Sequence, residues 1–423
     1  MTPLPVITPN IPNQRWSCHS CGDCCRTLVG HLTPSERDRL DKQRWRDELG
    51  VEPYVRVKGA PVLNKRVDGS CVFLTVDNRC LIHKKFGESA KPLACRIFPF
   101  SVRPAFGAWQ ASLRFDCPSI TGNKGALLAD HKGLLTDLVR DMRDGRAARE
   151  EVFPLRRGLT ISSAQIDALM KRVRRWLDEE KYSVTDRVIG LSRAAAILNA
   201  ASAESLSPGN WNTVLDLLFH ALPVECGKAP PPATERQRGL LRQLAFAHAE
   251  HVSIAEMRSG LFARMSKRWD QLRKARAFRT GRGDAPPLVG IGNSASFDSL
   301  EAVAPAHADA ASIRDLLSRY LTARIEGRAV FGPGYYGWPV LQGLSGLCLG
   351  VTAVGWLARY RAASLGRAAL EFDDVARALG VMDRAATRLP ALGTMAERTR
   401  ITYLMADDGV GRLVYTYRLT EAS

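Results

Sequence analysis

Apolar residues recur three or four positions apart along most of the chain that follows residue 122. This spacing places them on one face of a helix, and it predicts helices over residues 127–142, 163–177, 186–200, 211–222, 235–248, 312–325 and 372–388. A proline-rich segment at residues 228–234 and a longer break at residues 281–296 interrupt the pattern. Beyond residue 122 we therefore expect a mostly helical structure.

The first third of the chain has shorter and more varied patterns. Residues 33–36, which read TPSE, have the composition of a capping box with proline in the first turn, and they predict a helix that ends at Gly50. Residues 71–76 and 80–83 are largely apolar and are separated by an Asp-Asn pair, which predicts two strands joined by a turn. Residues 106–115 predict a further strand.

Residues 340–358 are the most apolar stretch and, at about 20 residues, have the length of a membrane span. They also contain Gln342, Ser345, Thr352 and four glycines. This content favours a buried helix in a helical domain, so no membrane span is expected.

Cysteine is distributed very unevenly along the chain. Of ten cysteines, eight lie in the first 117 residues: Cys18, Cys21, Cys24, Cys25, Cys71, Cys80, Cys95 and Cys117. Four of them stand in the octapeptide CHSCGDCC, where Gly22 can take a positive φ angle and let the CxxCxxC thiolates turn toward one point. These eight cysteines are the predicted pool of metal ligands. The other two, Cys226 and Cys348, are expected to have no part in it.

Zinc and an iron–sulfur cluster both remain open as the bound group. The spacing of Cys18 and Cys21 is that of a zinc knuckle, and eight thiolates could fill two tetrahedral sites. Three cysteines at intervals of two residues, followed by a distant Cys117-Pro118, also resemble the ligand run of an iron–sulfur cluster. His83 is expected to form a hydrogen bond near the ligands rather than to ligate.

The amino terminus has neither the basic region nor the apolar stretch of a secretory signal. We therefore expect a cytoplasmic protein, in which thiols stay reduced. Disulfide formation is therefore the least favoured interpretation of the cysteines. A second reason is that the adjacent Cys24 and Cys25 could not form a disulfide with each other without strain.

The formal charge is +17 and the isoelectric point is near 9.7. Basic residues concentrate at 264–282, with Trp269 and Phe278 among them. Such a stretch could dock an acidic protein partner or a phosphate backbone, or it could be a solvated helix face. A protein substrate or an acidic protein is the favoured partner, and nucleic acid is the less favoured one.

The cysteines belong to a set of short motifs: CHSCGDCC at residues 18–25, LTPSE at 32–36, GSCVFL at 69–74, CLIH at 80–83 and KPLACRIFPF at 91–100. In these motifs, and over residues 14–120, the chain resembles the YkgJ-like cysteine-cluster family. That family is described as a zinc- or iron-chelating domain, and it includes the flagellin lysine N-methylases. Lys91 stands where the family often has arginine. The helical part is similar to the longer members only in size and general character.

The resemblance implies a metal-bearing module and, in its methylase-like members, transfer of a methyl group from S-adenosylmethionine to protein lysines. The sequence itself has no Rossmann-type cofactor motif, since residues 289–293 lack the third glycine and are expected to form a loop. A non-catalytic metal-stabilised interaction module and a redox protein with an iron–sulfur cluster therefore stand as alternatives. No catalytic base can be named.

These patterns together predict an α+β fold that is predominantly α-helical. A small cysteine-rich metal-binding module at residues 14–121 is followed by a helical domain at 122–280. A loop or linker at 281–310 leads to a carboxy-terminal helical part at 311–423.

Overall fold

A computed structural model describes residues 5–142, 152–226, 229–250, 253–386 and 390–421. Its amino-terminal part consists of short elements, and its remainder consists of long helices around one large core. This is the predicted mixture of α and β structure, with helix dominant.

Residues 5–127 contain seven short strands and six short helices among the described residues. In chain order they are β1 (Val6–Ile7), β2 (Arg15–Trp16), α1 (Asp23–Thr27), α2 (Pro34–Lys42), α3 (Trp45–Leu49), β3 (Tyr54–Val57), β4 (Ala60–Leu63), α4 (Leu81–Phe86), α5 (Leu93–Arg96), β5 (Phe100–Ala105), β6 (Ala108–Leu113), α6 (Pro118–Thr121) and β7 (Ala126–Leu127).

The capping box predicted at residues 33–36 is confirmed. The Thr33 side chain accepts a hydrogen bond from the Glu36 backbone N–H, and the Glu36 carboxylate accepts one from the Thr33 N–H. The helix does not run unbroken to Gly50, because Arg44 takes a left-handed conformation with φ of 54° and separates α2 from α3. The end at Gly50 is as predicted.

The two strands predicted at residues 71–76 and 80–83 are wrong. In the first segment the Arg66 guanidinium, and not a strand, donates to Val72 O at 2.8 Å and to Leu74 O at 2.9 Å. Phe73 O accepts a hydrogen bond from the Leu81 N–H at 2.8 Å, without forming a strand ladder. The second segment begins helix α4 directly after Cys80. Isolated bridges, such as the one between Leu74 and Cys80, are what remains of the expected pairing.

The strand predicted at residues 106–115 is confirmed as β6. It lies in the middle of a three-stranded sheet, parallel to β1 and antiparallel to β5. Leu113 is fully buried, and the Ser112 hydroxyl donates to Ala323 O at 3.0 Å. This sheet therefore packs against the helical body rather than against the rest of the cysteine-rich part.

The helical body, residues 132–421, confirms the predicted helices with different ends. The helix predicted at 127–142 begins only at Lys132, and residues 387–388 of the helix predicted at 372–388 lie outside the described residues. The elements of the body are α7 (Lys132–Asp141), β8 (Val152–Arg156), β9 (Leu159–Ser162), α8 (Ser163–Leu177), α9 (Val184–Ala200), α10 (Trp211–Cys226), α11 (Glu235–Ala249), α12 (Ile254–Met257), α13 (Leu261–Thr280), β10 (Asp284–Ala285), β11 (Ala295–Ser296), α14 (Phe297–Glu301), α15 (Ala310–Glu326), α16 (Val340–Ser364), α17 (Phe372–Ala385), α18 (Met395–Met405) and α19 (Gly409–Thr416).

Two parts of this body differ from the prediction of helices joined by loops. One contains strands, and the other, predicted as a loop or linker, contains regular structure. The antiparallel β8–β9 hairpin precedes α8, and alternation buries Phe153 and Leu155 while Val152 stays exposed. The segment at 281–310 contains the β10–β11 pair and α14, and the Tyr360 hydroxyl donates to Pro286 O at 3.0 Å. Both therefore belong to the packed body.

Helix α16 lies at the centre of the body. Among the described residues it is the one helix that is long and apolar enough to cross a membrane, but 83% of its most apolar window is buried within the protein. Its glycines permit close approach, since a Cβ at Gly343 would lie 1.9 Å from Val330 O and one at Gly355 would lie 2.1 Å from Tyr417 O. This burial is that of a core helix.

Candidate metal centre

The loop that carries the first cysteines is turned by two left-handed residues. Ser20 has φ of 53° and Gly22 has φ of 74°. The positive φ favours glycine at position 22, and a Cβ there would also displace the side-chain ends of Arg26 and Asn78. Arg26 in turn donates to Asn78 Oδ1 at 2.9 Å and to Cys21 O at 3.3 Å. These bonds hold the loop against the turn at Asn78.

The later cysteines reach this loop from the ends of short elements. The backbone N–H of Cys71 donates to Cys25 O at 2.9 Å. Cys80 and Cys117 directly precede α4 and α6, and Cys95 lies within α5. Cys71 is therefore placed by a long-range backbone hydrogen bond, and the other three are placed by the short helices that they precede or belong to.

Cys18, Cys21, Cys24 and Cys117 are neighbours and form what we term the outer group. Partial desolvation raises the pKa of the Cys21 thiol, although the residue is exposed, and the charges of Asp23, Cys24 and Cys18 raise it further. Burial also raises the pKa of Cys117 to about 12, and the charges of Cys21 and Cys24 act in the same direction. Cys18 and Cys21 are exposed, whereas Cys117 is buried.

Cys25, Cys71, Cys80 and Cys95 form the inner group. Burial raises the pKa of Cys95, and the nearby charges of Cys71, Cys80 and Cys24 add to this effect. Burial likewise raises the pKa of Cys71, with Cys80 contributing. Cys24 connects the two groups, because a hydrogen bond with the Cys25 side chain is the main cause of its own raised pKa.

Two lysines, Lys65 and Lys91, lie among the inner thiols, and neither was predicted to have a role there. The Lys65 ammonium donates to Cys25 O at 2.5 Å. Burial lowers its pKa, whereas the charges of the surrounding Cys71, Cys25, Cys95 and Cys24 oppose that change. Nothing in the sequence around Lys65 signals this position.

Lys91 belongs to the sequence motif at residues 91–100, which also contains Cys95. This motif could have indicated that Lys91 lies near the thiols. Its ammonium lies 3.0 and 3.1 Å from the two carboxylate oxygens of Glu88. Burial lowers the pKa of Lys91, but Glu88, with Cys95 and Cys80, outweighs burial and leaves the pKa raised. Positive charge beside the inner group favours the ionised thiolates.

Helix α17 of the helical body approaches the outer group. Arg377 Nη1 lies 3.6 Å from the carboxylate of Asp23, in the CHSCGDCC octapeptide. The Asp383 carboxylate accepts a hydrogen bond from the Phe115 N–H at 2.7 Å, two residues before Cys117. The body therefore helps to position the last cysteine, a role that no sequence motif indicates.

The histidines near the cysteines have other partners. His83 Nδ1 lies 3.3 Å from a Glu88 carboxylate oxygen, and its side chain is exposed. His19 Nδ1 lies 3.0 Å from Ser119 Oγ. His83 is thus engaged with a carboxylate and occupies no position within the thiol groups.

The donor set fits a metal in its chemistry. Eight thiols, with two lysines to offset their charge, are the ligands that zinc and iron–sulfur clusters take, and the raised pKa values mean that metal binding must displace protons. Across the described ranges, however, no group of three or more His, Cys, Asp or Glu side chains is arranged to hold a metal ion. The sulfurs are gathered as neighbours without forming a coordination shell.

Comparison with known families supports this assignment. Residues 17–117 match a family model named CxxCxxCC and described as a putative zinc- or iron-chelating domain. This is the domain that the sequence motifs indicated, and all eight clustered cysteines lie within the match. The helical body lies outside it. Neither a curated protein nor a solved structure matched the chain.

Proposed function

We propose that residues 17–117 bind a metal centre through cysteine thiolates drawn from Cys18, Cys21, Cys24, Cys25, Cys71, Cys80, Cys95 and Cys117. The observation that carries this proposal is the mutual proximity of these thiols, which come from separate parts of the chain and raise one another's pKa values. Eight free thiols gathered from separate parts of the chain are the type of ligand that zinc and iron–sulfur clusters take.

Within this proposal an iron–sulfur cluster is the favoured group, and zinc is the alternative. The support is the CxxCxxC run followed by the distant Cys117-Pro118. A cluster would supply one-electron redox chemistry, whereas zinc held by four thiolates would supply structural stability. In either case the cysteines would hold the group, and Cys71 is the one buried thiol of the inner group.

Anaerobic purification, followed by visible absorption and by iron, zinc and acid-labile sulfide analysis, tests the assignment. Iron with sulfide and a broad visible absorption would establish a cluster. Zinc without sulfide would establish the structural alternative. A colourless protein with neither metal, purified without chelators, would refute the proposed function.

A pair of matched substitutions tests the ligand pool. We expect Cys21→Ser to lower both the bound metal and the thermal stability, because a ligand of the outer group is lost. We expect Cys348→Ser to leave the metal content unchanged, because this buried thiol lies in α16 and donates to Val188 O at 3.5 Å. Cys226, whose side chain lies outside the described residues, is a second control. Metal loss on changing Cys348 but not Cys21 would contradict the assignment.

Methyl transfer from S-adenosylmethionine to a protein lysine is the finer form of the proposal. It is supported by the resemblance of the module to a family that includes lysine methylases, and by an open cleft of about 460 Å³ beside Phe73 and Leu81. That volume is in the range of small-molecule sites. The acceptor amine would have to be neutral when it reacts.

Calorimetric titration of S-adenosylmethionine into the metal-loaded protein tests this finer form. Binding that Phe73→Ala weakens, with metal content unchanged, would support it. Absence of binding would leave the metal centre standing and favour the non-catalytic or redox alternatives. Metal binding and methyl transfer can therefore be refuted separately.

A further inference from the structure

Helix α13 exposes an apolar stripe along its length. Phe262, Met265, Trp269 and Leu272 follow one another at intervals of three, four and three residues, and Phe262 and Trp269 are 88% and 71% exposed. At 3.6 residues per turn these four positions lie within an arc of about 80°. Large apolar residues exposed together in this way indicate an interaction surface.

The opposite face of α13 is already packed against the helical body. Phe278 is fully buried and stacks on Phe246 of α11 with ring centroids 4.9 Å apart. The buried Arg242 guanidinium donates to Phe278 O at 2.8 Å, and Gln271 donates to the Glu250 carboxylate at 2.7 Å. The stripe is therefore presented outward by a helix that is fixed from behind.

Basic side chains border the stripe. Arg268, Arg273 and Arg276 are exposed and lie on or beside the outward face. Asp270 is the one acidic residue in the sequence of α13, and its carboxylate is engaged by Arg273 at 2.7 Å and by Lys274 at 2.8 Å. Basic residues outnumber this single acidic residue on α13, so the helix carries a net positive charge and the complementary occupant is anionic.

The width of the stripe distinguishes among anionic occupants. A helix that lies on a membrane or in a globular core shows a broad apolar face, whereas a seam made only of a and d positions is typical of a coiled coil. With Phe262 at an a position, Met265, Trp269 and Leu272 are at d, a and d. Arg268 and Arg273 then occupy the flanking g and e positions, which in coiled coils pair with opposite charges.

We propose that α13 docks an acidic amphipathic helix of a partner protein, with apolar side chains against the stripe and carboxylates against Arg268 and Arg273. A second copy of the chain is a poor occupant, because its seam would bring like charges together. This inference does not depend on the metal centre.

The probe for the test is a synthetic peptide of about three heptads with leucine at a and d and glutamate at e and g. Its binding to the full-length, metal-loaded protein is followed by fluorescence anisotropy. We expect Leu272→Ser and Arg268→Glu each to weaken binding about tenfold or more, equivalent to about 1.4 kcal/mol. Raising the salt concentration from about 0.05 M to about 0.5 M should also weaken it, because the charges are exposed.

Leu217→Ser and Arg175→Glu are the matched controls. Leu217 on α10 is 67% exposed, close to the 60% of Leu272, and Arg175 is an exposed arginine of α8. Neither substitution should change peptide binding. A peptide with lysine in place of glutamate should not bind. Circular dichroism and metal content, unchanged in all four variants, would show that binding rather than folding is affected.

Three outcomes would overturn the proposal. One is failure of the acidic peptide to bind, and another is equal weakening by the Leu217 and Leu272 substitutions. The third is binding to vesicles of phosphatidylglycerol and phosphatidylcholine without binding to the peptide, which would assign the surface to a membrane. None of them bears on the metal analysis that tests the proposed function.

Discussion

The cysteine module and the helical body differ in what can stabilise them. The apolar core of the module is small; its buried members are Leu32, Leu40, Trp45, Leu63, Cys71, Val72, Phe73, Leu74 and Ile82. Every long helix from α8 onward contributes buried residues to the core of the body, although α13 contributes only Phe278. Helix α16 lies at the centre of this core. Because buried apolar area is the main favourable term in folding, the body can be stable by itself, whereas the module needs an additional contribution.

The junction between the two regions is also informative. The sheet of β1, β6 and β5 lies in the first part of the sequence but packs in the core of the body, together with Phe115 and Cys117. One of the eight cysteines is therefore anchored in the stable region, and the rest lie in the less stable one. A metal bound by Cys117 and by cysteines of the module would therefore connect the helical body to the module.

Metal removal should give the largest effect and separates the two regions most directly. We expect chelation to abolish protection of the module amides in hydrogen exchange, because thiolate–metal binding contributes about 10 kcal/mol to the apparent stability of small metal domains. The amides of α16 should keep their protection. Loss of protection in both regions at once would show that the body is not independently stable.

Asp383→Ala should destabilise the junction by about 3 to 5 kcal/mol, because it leaves the buried Arg324 guanidinium without its partner. It also removes the acceptor of the Phe115 N–H. Chemical denaturation measures the change. The control is Asp373→Ala on the same helix, whose carboxylate is 71% exposed and 2.6 Å from Arg361. It should cost less than about 1 kcal/mol. Equal losses of stability in the two variants would mean that the buried pair of Arg324 and Asp383 contributes no more than an exposed ion pair.

Two glycines of α16 test the packing of the body with the same substitution. Gly343→Ala would place a Cβ 1.9 Å from Val330 O and should destabilise by about 3 kcal/mol. At Gly346 the nearest atoms, in Trp338 and Ile401, would be 3.6 and 3.7 Å away, so alanine should be tolerated or should stabilise by up to about 1 kcal/mol. Thermal denaturation distinguishes the two, and similar behaviour would contradict the close packing described.

His248 should make the stability of the body depend on pH, with the smallest effect of the four. Burial lowers its pKa to about 4 from an ordinary value of 6.5, and the nearby Arg400 also lowers it. The unfolded chain therefore binds the proton more readily, so stability is full above pH 6.5 and declines as the pH falls toward 4. Between pH 7 and pH 5 the loss should be about 2 kcal/mol.

Urea denaturation at the two pH values, compared between the native chain and His248→Gln, measures this contribution as the difference in pH dependence. The exposed His307 supplies the control, since His307→Gln should leave the dependence as it is in the native chain. If both variants retain the full dependence, the titrating group lies elsewhere.

The sequence by itself determined the features that rest on local signals. The capping box at Thr33 gave the start of α2, and the helical spacing of residues 163–177 gave α8, because backbone capping and one-sided burial depend on neighbours close along the chain. The cysteine motifs likewise identified the domain and its thiols, since the CxxCxxC spacing is itself local. The identity of the metal stays a prediction.

Only the tertiary structure decided which residues meet across long separations. Residues 71–76 have the composition of a strand, yet the carbonyls of Val72 and Leu74 accept hydrogen bonds from the Arg66 side chain. No local pattern distinguishes that outcome from pairing with a strand. The contacts of Lys65 with the thiols and of Asp383 with Phe115 likewise join residues that are far apart in the sequence. Their positions follow from how whole elements pack, because a buried charge or hydrogen-bonding group takes whichever partner the fold brings to it.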